Sequence, residues 1–210
     1  MMPDQQEIIL QTPSGDVRIQ SFCSAAEIGG YAFDKEFGMH AQYRSLYTRK
    51  ESLEADAARE GVNVVLAVDA QDTIIGFGVL NFPEAGERWL DLGTGVMMEL
   101  KVIEVCRRWR SGGVADGIVK MLVTHESVEN MILYLVGYSW TWDLDGTGKT
   151  AQAYRGMLVR LFEPHGFKEL QTNEPNICLK PENVFMARIG RHVTEEMCKK
   201  FKWLRFGVSP

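Results

Sequence analysis

Residues 98–123 read MELKVIEVCRRWRSGGVADGIVKMLV, and this stretch decides the fold. Residues 99–105 are rich in valine, isoleucine and leucine and contain no breaker, which predicts a buried strand. Residues 114–122 place apolar side chains at helical spacing, which predicts a helix. Between the two lies a tight turn with Gly112 and Gly113. Because the first amides of a helix lack internal partners and carry the positive end of its dipole, the sequence predicts an anion site here.

Length and charge limit the class of protein. A chain of 210 residues with 45% hydrophobic residues can bury one sizeable core, so we expect a single domain over residues 1–210. No signal peptide and no apolar run of about eighteen residues is visible, which predicts a cytoplasmic protein without a membrane partner. The net charge of −5 and the scattered basic residues disfavour nucleic acid as a partner.

The cysteines indicate neither a disulfide framework nor a metal site. The chain has four, far apart and without a CxxC pair or a histidine at ligand spacing: Cys23, Cys106, Cys178 and Cys198. We therefore expect free thiols and no metal. Cys106 lies near the anion turn, but no cysteine has a convincing nucleophile setting, which disfavours a covalent enzyme intermediate.

The other segments predict strands and helices in an order typical of an α/β protein. The predicted strands are 15–22, 62–69, 73–81, 131–138 and 184–189, with another after Gly166-Phe167. The predicted helices are 24–37, 44–60, one that begins at Thr150 or Thr147 and ends at 162, and 194–204. Two of these strands, 62–69 and 73–81, read as a hairpin. We expect a mixed, mostly antiparallel sheet flanked by helices.

At the anion turn the chain resembles the GNAT acetyltransferases, whose signature is Gln/Arg-x-x-Gly-x-Gly/Ala after the fourth strand. Arg110, Gly113 and Ala115 occupy its three fixed positions. The resemblance implies the GNAT fold, splayed between its fourth and fifth strands, with acetyl-CoA as co-substrate. It implies that the backbones of Ile103 and Val105 bind the pantetheine and the acetyl carbonyl. It also implies that the pyrophosphate binds the turn itself, formed by Arg110, Ser111, Gly112, Gly113, Val114 and Ala115.

An acetyltransferase of this kind needs a group that removes a proton from the attacking amine. A free lysine has a pKa of about 10.4, so little of it is neutral at pH 7. Glu99 and Glu104 are the candidate bases, and on a regular strand they face opposite sides of the sheet. Glu99 lies near the place where several family members hold their basic glutamate. Glu104 is the alternative, either as base or as a partner of Arg107 or Arg108.

The group that reprotonates the thiolate is less clear from the residues. In many relatives it is a tyrosine four places before the glycine of the Gly-Phe pair, and here Phe162 occupies that place. Tyr154 and Tyr138 are the alternative acids, and a solvent proton is a third.

Longer blocks resemble the acetoin-utilisation branch of the family. They are Glu87-Arg88-Trp89, Trp140-Thr141-Trp142-Asp143-Leu144-Asp145-Gly146-Thr147-Gly148, Tyr154-Arg155 and Met186-Ala187-Arg188-Ile189-Gly190. This resemblance implies acetylation of a lysine on a protein, AMP-forming acetyl-CoA synthetase, as control of acetate and acetoin metabolism. Trp140, Trp142 and Asp143 would then bind the protein substrate, with the two tryptophans on one face. The alternative for them is a tryptophan pair covering the core with Asp143 capping a turn.

Two rival functions and the assembly state stay open. The rivals are a small-molecule amine acetyltransferase and a module that senses acetyl-CoA without turnover. The sequence leaves open a homodimer.

Overall fold

The computed structural model describes residues 4–39 and 47–208. The chain divides into two compact units, of which the first is Met1–Asn81 with Lys101–Thr124 and the second is Phe82–Leu100 with His125–Pro210. The central strand contributes residues to both units. The expectation of one domain over residues 1–210 stays a prediction.

The first unit contains an antiparallel meander with helices packed against it. Its elements are β1 (Glu7–Thr12), β2 (Gly15–Gln20), α1 (Ala25–Gly30), β3 (Ala32–Phe33), α2 (Glu36–Met39), α3 (Lys50–Ala57), β4 (Asn63–Asp69), β5 (Thr73–Asn81), the end of β6 (Met97–Val105) and α4 (Val114–Val123). Strand β2 pairs antiparallel with β1 and with β4, β4 pairs antiparallel with β5, and short β3 runs parallel to β5. Strands β4 and β5 form the predicted hairpin.

Glycines let helix α4 lie close to the strands. A Cβ on Gly117 would lie 2.5 Å from Ile19 Cδ1, and a Cβ on Gly78 would lie 2.6 Å from Ile118 Cγ2. Both isoleucines are fully buried, so they have little room to move away. The absence of a side chain at Gly78 and Gly117 therefore sets how close the helix lies to β2 and β5.

The second unit contains the start of β6 and the remaining helices. Its elements are a 3₁₀ turn (Arg88–Leu92), β7 (Ile132–Gly137), α5 (Leu144–Thr147), α6 (Ala151–Phe162), β8 (Lys168–Glu169), α7 (Pro175–Cys178), β9 (Val184–Ile189) and α8 (Glu195–Leu204). Strand β7 pairs antiparallel with β9, which also pairs with β8. Strand β6 runs parallel to β7 over three residue pairs, from Met97↔Ile132 to Glu99↔Tyr134.

Stacked aromatic rings form the core of this second unit. The Trp89 ring lies 5.1 Å from that of Tyr134, 5.2 Å from that of Phe185 and 6.3 Å from that of Phe201. These rings join the 3₁₀ turn, the strands and α8 into one apolar cluster. Their burial is the main source of stability for the unit.

An ion pair and a hydrogen bond fix the end of β9. Glu129 accepts a hydrogen bond from the Arg191 amide at 3.0 Å and pairs with the Arg188 guanidinium. A Cβ on Gly190 would collide with the Glu129 backbone carbonyl, so the strand end lies directly against this segment. The Arg191 amide, and then the Arg188 guanidinium, lower the pKa of Glu129 below its usual value.

The predicted fold class, a mixed and mostly antiparallel sheet with helices, is confirmed. The predicted helix 24–37 is wrong, because α1 ends at Gly30 and β3 follows it. The predicted helix 44–60 begins at Lys50 among the described residues, and its first part, 44–46, lies outside them. Strand β1 was not predicted.

The predicted helix that ends at 162 is confirmed, and of its two candidate caps it is Thr150 that caps it. The predicted helix 194–204 is confirmed with its cap at Thr194. None of the helices described in 4–39 and 47–208 has the length and apolar character needed to span a bilayer.

Candidate active site

The predicted anion turn is present between β6 and α4. Gly113 is the residue before the helix and has φ of 81°, and Ser111 has φ of 65°, so both lie in the left-handed region. The first intrahelical bond runs from the Gly117 amide to the Gly113 carbonyl at 2.9 Å. The amides of Val114 and Ala115 precede that bond and point out of the helix start. This geometry suits a diphosphate.

The β1–β2 hairpin supports this turn from below. The Ser14 hydroxyl donates to the Arg108 carbonyl at 3.0 Å, and a Cβ on Gly112 would lie 3.0 Å from Thr12 Cβ. The hairpin therefore leaves little room for a side chain at position 112, which favours glycine there.

The arginines around the turn are held by the protein. Arg108 donates to Asp34 at 3.1 Å and lies 3.9 Å from Asp69, so its charge is already balanced. Arg110 donates through Nε to the Val105 carbonyl at 2.9 Å and braces the turn against the strand end. The signature arginine thus has a structural contact within the turn.

The backbone amide and carbonyl groups of alternate residues in β6 face opposite edges of the strand, and this decides which groups of Ile103 and Val105 can bind a ligand. The Cys106 amide donates to the Ile75 carbonyl on β5 at 2.9 Å. Alternate residues of a strand point their backbone groups to opposite edges, so those of Ile103 and Val105 point away from β5. The Val105 carbonyl accepts from Arg110, which leaves its amide and the groups of Ile103 as candidate pantetheine contacts.

In the second unit, Glu99 lies within a cluster of carboxyl and phenol groups. Its Cα is directly opposite that of Tyr134 across β6 and β7, so the two side chains share a face of the sheet. The Tyr134 hydroxyl donates to Glu87 Oε2 at 2.9 Å. Burial raises the pKa of the Tyr134 phenol, and the charges of Glu99 and then Glu87 raise it further. The phenol therefore stays protonated among carboxylates.

Tyr138 extends this cluster. Burial raises its pKa, and so do the carboxylates of Glu174, Glu99 and Glu87, in that order. Its ring stacks on Trp140, with centroids 4.6 Å apart. A phenol with a raised pKa keeps its proton at neutral pH and releases it less readily, which weighs against Tyr138 as the alternative acid.

Glu104 lies elsewhere. It is half-buried on the part of β6 that belongs to the first unit, five residues from Glu99. Its backbone carbonyl faces β5, where a Cβ on Gly76 would lie 3.1 Å away. The two candidate bases are thus in different units.

The two tryptophans lie in different surroundings, so the expectation of one shared face is wrong. Residues Ser139–Thr141 form a 3₁₀ turn, which ends the strand alternation. Trp140 is 42% exposed, with Lys180 Nζ 4.9 Å from its ring centroid. Trp142 is 8% exposed and stacks on Tyr154 at 5.1 Å.

The remaining candidates have packing contacts. Asp143 is 4% exposed and accepts a hydrogen bond from the Gly146 amide at 2.9 Å, as the N-cap of α5. Phe162 is buried against Phe167, with ring centroids 5.6 Å apart. Tyr154 lies half-buried on α6 against Trp142.

The thiol near the turn is a poor nucleophile. Cys106 is buried, and burial together with the charges of Asp34 and Glu36 raises its pKa. A thiol in that setting is protonated at neutral pH. Within residues 4–39 and 47–208, no group of three histidine, cysteine or acidic residues is placed to hold a metal ion.

Comparisons with known proteins identify the family and the fold. The acetoin utilization protein AcuA of Bacillus subtilis (strain 168) is 30% identical over 197 residues, which cover 94% of this chain and 92% of that protein. The chain belongs to the AcuA family. The crystal structure of an acetoin utilization protein from Exiguobacterium sibiricum 255-15 superposes with a TM-score of 0.90 at 26% identity, covering 99% of this chain and 96% of that one.

The fold of this AcuA-family chain is that of the GNAT acetyltransferases. A GNAT superfamily phosphinothricin acetyltransferase from Sinorhizobium meliloti, solved with AcCoA, superposes with a TM-score of 0.52 at 12% identity, over 92% of this chain and 91% of that one. No family model matches the sequence. The expected GNAT fold is thus confirmed, and the chain's membership of the AcuA family agrees with the resemblance seen in the sequence.

Sequence reasoning missed two residues of the carboxyl cluster. Tyr134 lies in an apolar strand segment, where a tyrosine is usually a packing residue. Glu87 lies 47 positions before it, so no local pattern connects the two. The signal for Glu87 was its place in the Glu87-Arg88-Trp89 block, one of the blocks on which the family resemblance was based. Its role becomes visible only when β7 brings the phenol to that loop.

Proposed function

We propose that this AcuA-family protein is a protein N-acetyltransferase, which transfers the acetyl group of acetyl-CoA to a lysine side chain. The observation that carries the proposal is the position of Glu99, whose Cα lies opposite that of Tyr134, the residue that donates a hydrogen bond to Glu87. A cluster of carboxylates with aromatic rings attracts an ammonium group and can take a proton from it.

The co-substrate is proposed from the turn in the first unit. The amides of residues 111–115 bind the diphosphate, because they surround a helix start that is held open by Gly112 and Gly113. The edge groups of Ile103 and Val105 bind the pantetheine amides. Arg110 keeps the turn attached to the strand end through the Val105 carbonyl.

The reaction is a direct transfer. Glu99 accepts a proton from the substrate ammonium, and the neutral amine attacks the thioester carbonyl carbon. A carbon–nitrogen bond forms, the carbon–sulfur bond breaks, and coenzyme A leaves as a thiolate. The nitrogen loses its second proton as the amide forms, and the thiolate takes a proton from Tyr154, from Tyr138 or from water. The proton lost by the nitrogen restores that donor, and the proton on Glu99 passes to solvent. Glu104 is the second candidate base.

The proposed acceptor is a lysine of AMP-forming acetyl-CoA synthetase, as control of acetate and acetoin metabolism. Exposed Trp140 supports a protein acceptor, because large exposed aromatic side chains are enriched at interfaces. A cytoplasmic location belongs to the same proposal, since the described cysteines are free thiols. A homodimer would be detected as a doubled mass in solution.

The experiment is incubation with acetyl-CoA and purified AMP-forming acetyl-CoA synthetase, followed by peptide mass spectrometry. We expect one acetylated lysine, a large loss of rate in Glu99→Gln and a small loss in Glu104→Gln. Tyr154→Phe and Tyr138→Phe identify the acid. Acetylation by Glu99→Gln at the parent rate would remove Glu99 as the base.

A second candidate function is an acetyl-CoA-sensing module, favoured by Phe162 being packed into the core at the usual acid position. Tight binding of acetyl-CoA without transfer to protein or small amines would support it. Transfer to small amines alone would instead support a small-molecule acetyltransferase.

A further inference from the structure

We propose that the open edge of β1 pairs with the same strand of a second copy, which gives a dimer with two-fold symmetry. The surface consists of the outward backbone groups and side chains of Glu7, Ile9 and Gln11, and we call it the β1 edge. It lies within the first unit, and its role does not depend on the proposed acetyl transfer.

The hydrogen-bond pattern of the first hairpin fixes which backbone groups of β1 point outward. The Ser21 amide donates to the Gln6 carbonyl at 2.9 Å, so Gln6 bonds towards β2. Alternate residues of an antiparallel strand bond to opposite edges. The even-numbered residues of β1 therefore bond to β2, and Glu7, Ile9 and Gln11 turn their amides and carbonyls to the open side. Within residues 4–39 and 47–208, β1 ends the order of strands and pairs with β2 alone.

The β1 edge lacks the features that usually prevent a sheet edge from pairing. Edge strands are commonly protected by being very short, by charged residues or by proline. Strand β8, at the other end of the order, has two residues, Lys168 and Glu169, and both are charged and exposed. Strand β1 has six residues and no proline, and Ile9 near its middle is 60% exposed. The β1 edge is therefore suited to pairing with another strand.

The residues of the β1 edge complement themselves about a two-fold axis at Ile9. In that register Ile9 lies opposite the partner's Ile9, and Glu7 lies opposite the partner's Gln11. All three outward residues then exchange backbone hydrogen bonds. The carboxylate of Glu7 meets an amide side chain, whereas an axis at Glu7 would place two like charges opposite each other, which is destabilising. Because a symmetric interface requires one surface to complement itself, we assign the edge to a second copy and not to a strand of another protein.

The other face of β1 supports the same register. Ile8 and Leu10 are half-buried beside α4. Ile8 Cδ1 lies 3.9 Å from where a Cβ on Gly117 would be, and Leu10 Cδ2 lies 3.8 Å from where a Cβ on Gly113 would be. With the axis at Ile9, Ile8 lies opposite the partner's Leu10. Apolar cross-strand pairs are thus formed on both faces of the two joined strands.

The first test is sedimentation equilibrium over a range of protein concentrations for the parent, Ile9→Lys and Ile189→Lys. Ile9→Lys places two lysines opposite each other at the axis, and we expect the dissociation constant of the dimer to rise at least about tenfold. The matched control is Ile189, which is 45% exposed on β9 in the second unit, and lysine there should leave the constant unchanged. Thermal unfolding checks that each variant is folded. A parent that is monomeric at every concentration would overturn the proposal, and so would an unchanged constant in folded Ile9→Lys.

A second test measures the register by disulfide formation. The accessible thiols are first removed with Cys178→Ser and Cys198→Ser, which leaves the buried Cys23 and Cys106. With Ile9→Cys in that background, the two new thiols lie on Cα atoms about 5.5 Å apart, within the range of a disulfide, and we expect a covalent dimer on oxidation.

Gln11→Cys in the same background is the control for register. Its thiol would lie four residues along the strand from its copy, at about 14 Å, so we expect no covalent dimer. A covalent dimer through position 11 and not through position 9 would overturn the register. If the parent is monomeric and Ile9→Lys instead abolishes binding to purified acetyl-CoA synthetase, the β1 edge pairs with the acceptor and the proposed dimer is wrong.

Discussion

Replacing Gly117 by alanine tests how α4, and with it the anion turn, is held on the sheet. The new Cβ would lie 2.5 Å from Ile19 Cδ1, and Ile19 is fully buried. Overpacking of this kind costs about 1 to 3 kcal/mol. Alanine is better than glycine inside a helix by about 1 kcal/mol. We therefore expect Gly117→Ala to destabilise the protein by about 1 kcal/mol, the difference between these two effects.

Ile19→Val removes the atom that collides and so provides the matched second variant. Alone it should destabilise by about 0.5 to 1.5 kcal/mol, because it leaves a small cavity. In the double variant the alanine methyl occupies that space, so the overlap is gone while the gain in helix propensity remains. The double variant should be about as stable as the parent, which makes it about 2 kcal/mol more stable than the sum of the singles.

The assay is urea unfolding of the parent, the two single variants and the double variant, compared where their m-values are equal. Calorimetric titration with coenzyme A is done on the same proteins. We expect affinity to fall in Gly117→Ala and to recover in the double variant, because the helix start carries the binding amides. Stabilities that add to within about 0.5 kcal/mol would refute the close contact between Gly117 and Ile19.

Four further predictions follow from single residues. Gly113→Ala should weaken coenzyme A binding in calorimetry, because a left-handed alanine costs about 1 to 2 kcal/mol and the turn would relax; unchanged affinity would contradict it. Cys106→Ala should keep its transfer activity, and mass spectrometry of the parent should find no acyl adduct, because burial raises the pKa of that thiol. Glu129→Gln should be less stable than the parent above about pH 4.3, because the parent carboxylate accepts a hydrogen bond from the Arg191 amide. The difference in stability should vanish as the pH falls through the lowered pKa of Glu129 in the folded protein, since protonation weakens that bond. Urea unfolding midpoints measured across pH test this difference. Trp140→Ala should lower transfer to a protein acceptor at least about threefold and leave small-amine transfer unchanged.

The sequence predicted the parts of this fold that depend on local pattern. The hairpin of β4 and β5, the helix α4 and the capped helices α6 and α8 come from apolar periodicity and cap residues that are close in sequence. The end of α1 at Gly29-Gly30 was missed because the apolar spacing continues past the glycines into β3.

The candidate site divides in the same way. The turn at Gly112 and Gly113 was predictable, since glycines between a strand and a helix are a local signal. The partnership of Glu87 with Tyr134 was not, because it depends on the register of β7 and on the path of a loop. The tryptophan pair was misread because a 3₁₀ turn, unlike a strand, does not place alternate residues on one face.

The hairpin that lies beneath the anion turn has a practical meaning for anyone who shortens this chain. Deleting the first twenty residues of the chain would remove Ser14 and Thr12. The Arg108 carbonyl would lose its hydrogen bond from Ser14, and Gly112 would lose its contact with Thr12. The shortened protein would keep every residue of the signature, and we expect its affinity for coenzyme A to fall. Natural variation in that hairpin would, by the same logic, tune cofactor affinity while the signature itself stays the same.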